Sequence, residues 1–169
     1  MRHVSRGGIY LRIAERSWKD PLSPAYSLER GGRWNPARAF GALYLNDSAE
    51  LARAQVRRKL EPRGIRPEDL EPAAGPVLVK TDVPAGRFVD AVSEAGLRSL
   101  SLPASYPLSI SGEEIPHSRC QPIGADAWKA GEPGIACRSA AAPDLEELAL
   151  FDRNLELKPA STQRFEAWY

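Results

Sequence analysis

A polar turn, Gly31-Gly32-Arg33-Trp34-Asn35-Pro36, runs on to the apolar segment Ala42-Leu43-Tyr44-Leu45 and then to a helix that carries Gln55. Eleven residues separate Arg33 from Tyr44, and eleven more separate Tyr44 from Gln55. This unit joins a glycine-flanked turn to a strand and a helix at fixed spacing. Two glycines let a backbone take positive φ or approach a ligand closely. Arg33 offers a rigid fork suited to phosphate or carboxylate. Trp34 adds a flat apolar surface and Asn35 a bifunctional amide. The plainer alternative is a tight turn with Trp34 tucked into the core and Arg33 in a surface salt bridge, since turns use these residue types routinely.

The chain of 169 residues is long enough for one domain with a substantial core. It carries 23 basic and 22 acidic residues, a net +1. That balance gives no support to a nucleic-acid or membrane role, because either favours a basic excess. Cys120 and Cys137 are far apart with no CxxC pairing, which suits a reduced, cytoplasmic protein. His3 and His117 are too few for a zinc cluster, and no metal is expected. No apolar leader and no run of about 18 apolar residues is present, so neither a signal peptide nor a membrane span is expected.

The elements read as α+β. Gly8 to Ala14 is β-rich and predicts a first strand. Residues 16–36 read as loop. Ala42–Leu45 predicts a second strand. Ser48 offers an N-cap for a helix from Ala49 to Leu60, which stops before Pro62. Val77–Val83 predicts a third strand and Val89–Leu97 a short helical turn. Residues 99–121, rich in Ser and Pro, read as loop. Ala125–Lys129 reads as part of a helix. Gly134–Ser139 and Glu147–Phe151 read as strands, and the tail from Leu155-Glu156-Leu157 onwards as a further edge strand. Short strands dispersed among short helices exclude a doubly wound sheet, and no GxGxxG or P-loop is present.

Several single residues bear on chemistry. Tyr44, flanked by Leu43 and Leu45 on the opposite face, is either a half-buried tyrosine with a satisfied hydroxyl or a platform for a flat heterocycle. Gln55 lies near a stripe with Ala52, Val56 and Lys59, so its amide faces inward and needs partners. The run Arg53, Arg57, Arg58, Lys59 reads as a solvated face. Arg12 sits inside the first strand; if it faces a cleft, a buried anion such as pyrophosphate would justify desolvating it. No histidine is placed to activate Ser139, which argues against a serine nucleophile.

Taken together, Tyr10-Leu11-Arg12-Ile13, the GGRWNP turn, Ala42 to Ser48 and the helix to Gln55 resemble the RES domain, named for an Arg, a Glu and a Ser. Weaker matches follow at Cys120–Gly124, Ala127-Trp128, Gly134–Ser139 and Leu148–Phe151, so the resemblance spans about residues 8–158. It implies a fold like that of ADP-ribosyltransferase toxins, split β-sheets around an NAD cleft with short flanking helices. It implies a toxin of a two-gene toxin–antitoxin module with an Xre-type helix-turn-helix antitoxin. It also implies NAD as substrate, cleaved at the nicotinamide–ribose bond by hydrolysis or phosphorolysis, or used to modify a protein acceptor. A non-catalytic NAD-binding or antitoxin-binding module is the alternative that Gln55 favours. By residue matching, Arg12 and Arg33 contact the NAD phosphates or ribose, with Trp34 and Asn35 beside them. Tyr44 stacks on nicotinamide, and Ser139 takes the family serine position.

Gln55 stands where the family has its catalytic glutamate. Breaking the N-glycosidic bond builds an oxocarbenium-like cation that a carboxylate stabilises. A glutamine keeps the size and loses the charge, which predicts a rate loss of about 10²–10³ with NAD binding better preserved. Three accounts fit: a deliberate Glu→Gln change, a naturally weakened relative, or another carboxylate in its place. Glu50 is a poor substitute, since five residues along a helix turn it roughly 140° away. Glu113 and Glu114 lie in a segment without pattern.

Overall fold

The computed structural model describes residues 1–153 and 156–169. Its strands are β1 (His3–Ala14), β2 (Ala42–Asn46), β3 (Val77–Ala91), β4 (Gly134–Arg138), β5 (Glu146–Phe151) and β6 (Pro159–Gln163). Its α-helices are α1 (Ala25–Arg30), α2 (Ala49–Leu60), α3 (Glu94–Ser99), α4 (His117–Lys129) and α5 (Phe165–Trp168).

The α+β expectation holds. The strands follow the order β1-β2-β5-β4-β3-β6, and β3 pairs back onto β1, so the first five close on themselves. The expected split into small sheets is bridged because β1 and β3 are long enough to run through both halves. Their antiparallel ladder extends from His3↔Val89 to Ala14↔Val77, with a bulge between Arg6 and Gly8. β3 takes β6 on its free side at Leu78–Thr81 and β4, in parallel, at Val89–Ala91.

Strand alternation sorts the side chains into two layers. Leu43, Leu45, Val79, Ala136, Leu148 and Leu150 fill the inside of the closed sheet. Ala42, Ile135, Cys137, Ala149 and Phe151 point outward and are covered by α4. A third cluster seats α2 on the C-terminal helix through Val56, Leu60, Phe165 and Trp168.

Helix α2 has the predicted bounds, and the Ser48 side chain accepts the Leu51 amide at 3.2 Å. Four expectations change. Residues 16–36 are not all loop: α1 begins after Pro24, and its only buried residue is Ser27, so it leaves no apolar stripe to read. Val89–Ala91 belong to β3, because pairing with β4 holds them extended; the helix begins only after Ser93, whose side chain accepts the Gly96 amide at 3.0 Å. Residues 117–121 are the first turns of α4, which continues through Pro122 on the buried stripe Cys120, Gly124, Ala127. The tail strand is β6, beginning at Pro159; Leu155 lies outside the described residues.

Candidate active site

One cleft of about 760 Å³ opens between β1, the 31–36 turn, α2 and the edge of β5. Arg12, Arg33, Tyr44, Gln55, Arg58 and Glu147 line it, so four residues singled out in the sequence converge.

The 31–36 turn is a rigid corner. Tyr44 donates its hydroxyl to Asn35 Oδ1 at 2.8 Å and accepts the Trp34 amide at 2.9 Å. Asn35 donates from Nδ2 to the Ser27 carbonyl at 2.8 Å and the Phe40 carbonyl at 3.0 Å. A Cβ on Gly32 would lie 2.4 Å from the Tyr44 hydroxyl, so the ring can sit there only because residue 32 has no side chain. Helix α4 docks on the same corner: a Cβ on Gly124 would meet the Trp34 carbonyl at 1.7 Å.

Two expected ligand contacts are thereby corrected. Trp34 is fully buried, its indole N–H donating to Cys137 Sγ at 3.2 Å, and it does not reach the cleft. Asn35 is also fully buried, with its amide consumed in holding the corner. Both follow from the plainer reading of the turn, in which tight hydrogen bonding pulls the central residues inward. Tyr44 combines its two readings: its hydroxyl is satisfied inside, while part of the ring faces the cleft. Burial pushes the phenol well above its ordinary pKa, so it stays neutral.

The cations stand on two sides. Arg12 shares a strand face with Tyr10 and Ala14, donates to the Tyr44 carbonyl at 2.7 Å, and lies 5.7 Å over the Trp18 ring. Its Nε is buried without a partner among the described residues. Burial lowers its pKa to about 10, still charged at neutral pH. Across the cleft, Arg33 donates to the Ile115 carbonyl at 3.0 Å and pairs with Glu114. Arg58 pairs with the other oxygen of the same carboxylate, so it lines the cleft while remaining exposed, as a residue of a solvated face does. Burial opposes ionisation of Glu114, yet its bonds from Arg58 and Arg33 hold its carboxyl below the usual value.

At the floor, Gln55 Nε2 donates to Glu147 Oε1 at 2.9 Å, and Ser139 Oγ donates to the same oxygen. Ser139 is buried and also accepts the Ala141 amide at 3.2 Å, so it orients Glu147 and does not line the cleft itself. Burial raises the pKa of Glu147, against the hydrogen bonds from Ser139 and Gln55. Glu147 was not chosen from the sequence, where Glu114 was noted only as a carboxylate in a segment without pattern and Arg58 only as part of a basic run. The available signal for Glu147 was alternation: it shares the face of Ala149 and Phe151, where an acid needs a reason.

Among the described residues no three His, Cys, Asp or Glu side chains group as metal ligands, and no helix is long and apolar enough to cross a membrane. Both cysteines are buried and free.

The family model described as "RES domain" matches residues 9–169. Curated relatives named NAD(+) phosphorylase MbcT, from Mycobacterium bovis and Mycobacterium tuberculosis, are 28% identical over 162 residues, spanning 88% of this chain and 82% of theirs. A solved structure, that of the M. tuberculosis MbcT–MbcA toxin–antitoxin complex, superposes with a TM-score of 0.79 at 21% identity. It covers 98% of this chain and 91% of that one.

Proposed function

The chain belongs to the RES-domain family, and from that premise we propose that it is the toxin of a toxin–antitoxin pair and depletes NAD⁺ by phosphorolysis. The observation that carries this reading is the cleft itself. It has an arginine on one wall, two on the other, a neutral aromatic ring between them and an acid–amide pair at its floor. The arginine guanidinium groups offer the bidentate donors that a pyrophosphate takes, and Tyr44 offers a face to a flat ring. The 28% identity to enzymes named as NAD(+) phosphorylases supports phosphate as the acceptor.

Chemically, the bond between the nicotinamide nitrogen and ribose C1′ breaks, and its electron pair leaves with neutral nicotinamide. A phosphate oxygen bonds to C1′, giving ADP-ribose 1″-phosphate. The protein's part is to hold the pyrophosphate, orient the ring and stabilise the ribosyl cation. An Xre-type helix-turn-helix antitoxin is the proposed partner, the relative of known fold having been solved with an antitoxin. Cytoplasmic action follows from the substrate.

The test is nicotinamide release from NAD⁺ with and without inorganic phosphate, with the product followed by ³¹P NMR. Phosphate-dependent release with a new sugar-phosphate resonance is the expected result. Release with label retained on protein would point to ADP-ribosyl transfer instead. No release under either condition would reject an NAD⁺-consuming role.

A further inference from the structure

Three carboxylates line the cleft: Glu15, Glu114 and Glu147. Glu15 is at the rim, paired with Lys59 at 2.6 Å. Glu114 is neutralised by Arg33 and Arg58. Glu147 alone of the three has no cation within salt-bridge distance among the described residues. Both of its hydrogen bonds, from Gln55 and Ser139, fall on Oε1. Oε2 receives none among the described residues, so one oxygen is anchored and the other is available.

Position and chemistry agree. Glu147 is on β5 opposite Asn46 of β2 and Cys137 of β4, two strands that fix its backbone from both sides. A carboxylate held by a central strand is better fixed than one on a loop. The amide at 55 donates to Glu147 and leaves the charge on that one carboxylate, whereas a second carboxylate 2.9 Å away would share a proton with it and spread the single charge over both.

We propose that Glu147 is the catalytic carboxylate of this chain, with Gln55 and Ser139 as the groups that position it. The charge that the resemblance places on α2 is supplied from β5, and Gln55 is part of a working site. This rests on the proposed NAD⁺ cleavage. Glu147 acts in its ionised form: Oε2 faces the cationic C1′ or accepts a hydrogen bond from a ribose hydroxyl, and no proton is consumed at the carboxylate.

The experiment compares nicotinamide release by the unaltered chain, Glu147→Gln, Gln55→Glu and the double variant Gln55→Glu/Glu147→Gln, at saturating phosphate. NAD⁺ affinity is measured in parallel by calorimetry. The expected loss for Glu147→Gln is about 10²–10³ in kcat, the usual effect of removing one preorganised electrostatic group, with NAD⁺ affinity nearly unchanged. Gln55→Glu is expected to slow the reaction as well. The double variant, which exchanges acid and amide, should exceed either single variant, because neighbouring charged groups couple non-additively. Unchanged turnover in Glu147→Gln would overturn the proposal. So would a faster Gln55→Glu: release by that variant alone would keep NAD⁺ cleavage and remove Glu147 from it. No release by any of the four would reject both.

Discussion

The Tyr44 hydroxyl and the Asn35 side-chain carbonyl meet at 2.8 Å, and this contact joins a strand of the sheet to the turn that carries Arg33. Asn35 makes two further bonds, to the Ser27 and Phe40 carbonyls, so one buried amide ties three segments. Asn35→Ala leaves two carbonyls and a phenol short of partners in the interior. The expected destabilisation is about 3 kcal/mol, and for a chain of this size that is roughly 6–12 °C in Tm. Tyr44→Phe removes the hydroxyl and keeps the ring, and should cost about 1 kcal/mol with NAD⁺ affinity largely retained. Thermal melts of the two variants check the order; an Asn35→Ala protein that melts with the unaltered chain would show that the turn is held by something else.

Arg12 is buried at a cost. Its Nε has no partner among the described residues, and burial lowers its pKa to about 10. A guanidinium held in that way gains most when an anion arrives. Arg12→Gln is therefore expected to weaken NAD⁺ binding by about tenfold or more while stability changes by less than about 1 kcal/mol. Calorimetry and melting on the same samples separate the two effects. A large fall in Tm with unchanged affinity would make Arg12 a strut that supports the Tyr44 carbonyl and nothing more.

Glu114 occupies the seat between Arg33 and Arg58 that an incoming anion would take. Ligand phosphate must compete with this internal carboxylate. Glu114→Gln should lower the KM for phosphate or NAD⁺ by roughly 3–10-fold, since the arginines no longer exchange one anion for another. Initial-rate kinetics across phosphate concentrations give the answer. A raised KM would mean that Glu114 holds the arginines in place for the ligand.

What was legible in the sequence was local. The cap at Ser48 and the bounds of α2 depend on residues within one turn, and both were found. The reach of β1 and β3 was hidden because Gly7, Gly8, Pro84 and Gly86 punctuate them as loops would. Pairing overrides that punctuation; Gly7 packs so closely that a Cβ would lie 2.6 Å from the Ala85 Cα. Pro122 concealed α4 in the same manner. Arg12, Arg33, Tyr44 and Gln55 line one cleft, and three of them were within reach of the sequence because they belong to one chain-local unit. Glu147 is 92 residues from Gln55, and only the sheet brings them together. Trp34 and Asn35 were chosen for their chemistry as exposed groups, and burial removed them from the cleft.

Glu147 should leave its mark on stability as well as on rate. Burial raises its pKa above the ordinary carboxylate value, so the folded chain holds this proton more tightly than the unfolded chain does. Stability must then fall as pH rises from the unfolded pKa through the folded one, and the full penalty is present above that window. Glu147→Gln has no such group. At neutral pH it is expected to melt at or above the temperature of the unaltered chain, by a margin that closes as pH is lowered through the folded pKa of Glu147. Turnover has the opposite dependence, since the ionised form is the useful one: its acid limb should lie at a higher pH than an exposed glutamate would give. Melting curves and kcat profiles over the same pH series test both halves. A Glu147→Gln protein less stable at neutral pH than at acid pH, relative to the unaltered chain, would mean that the carboxylate is held in the folded state as a favourable anion. The burial cost argued for it would then be absent.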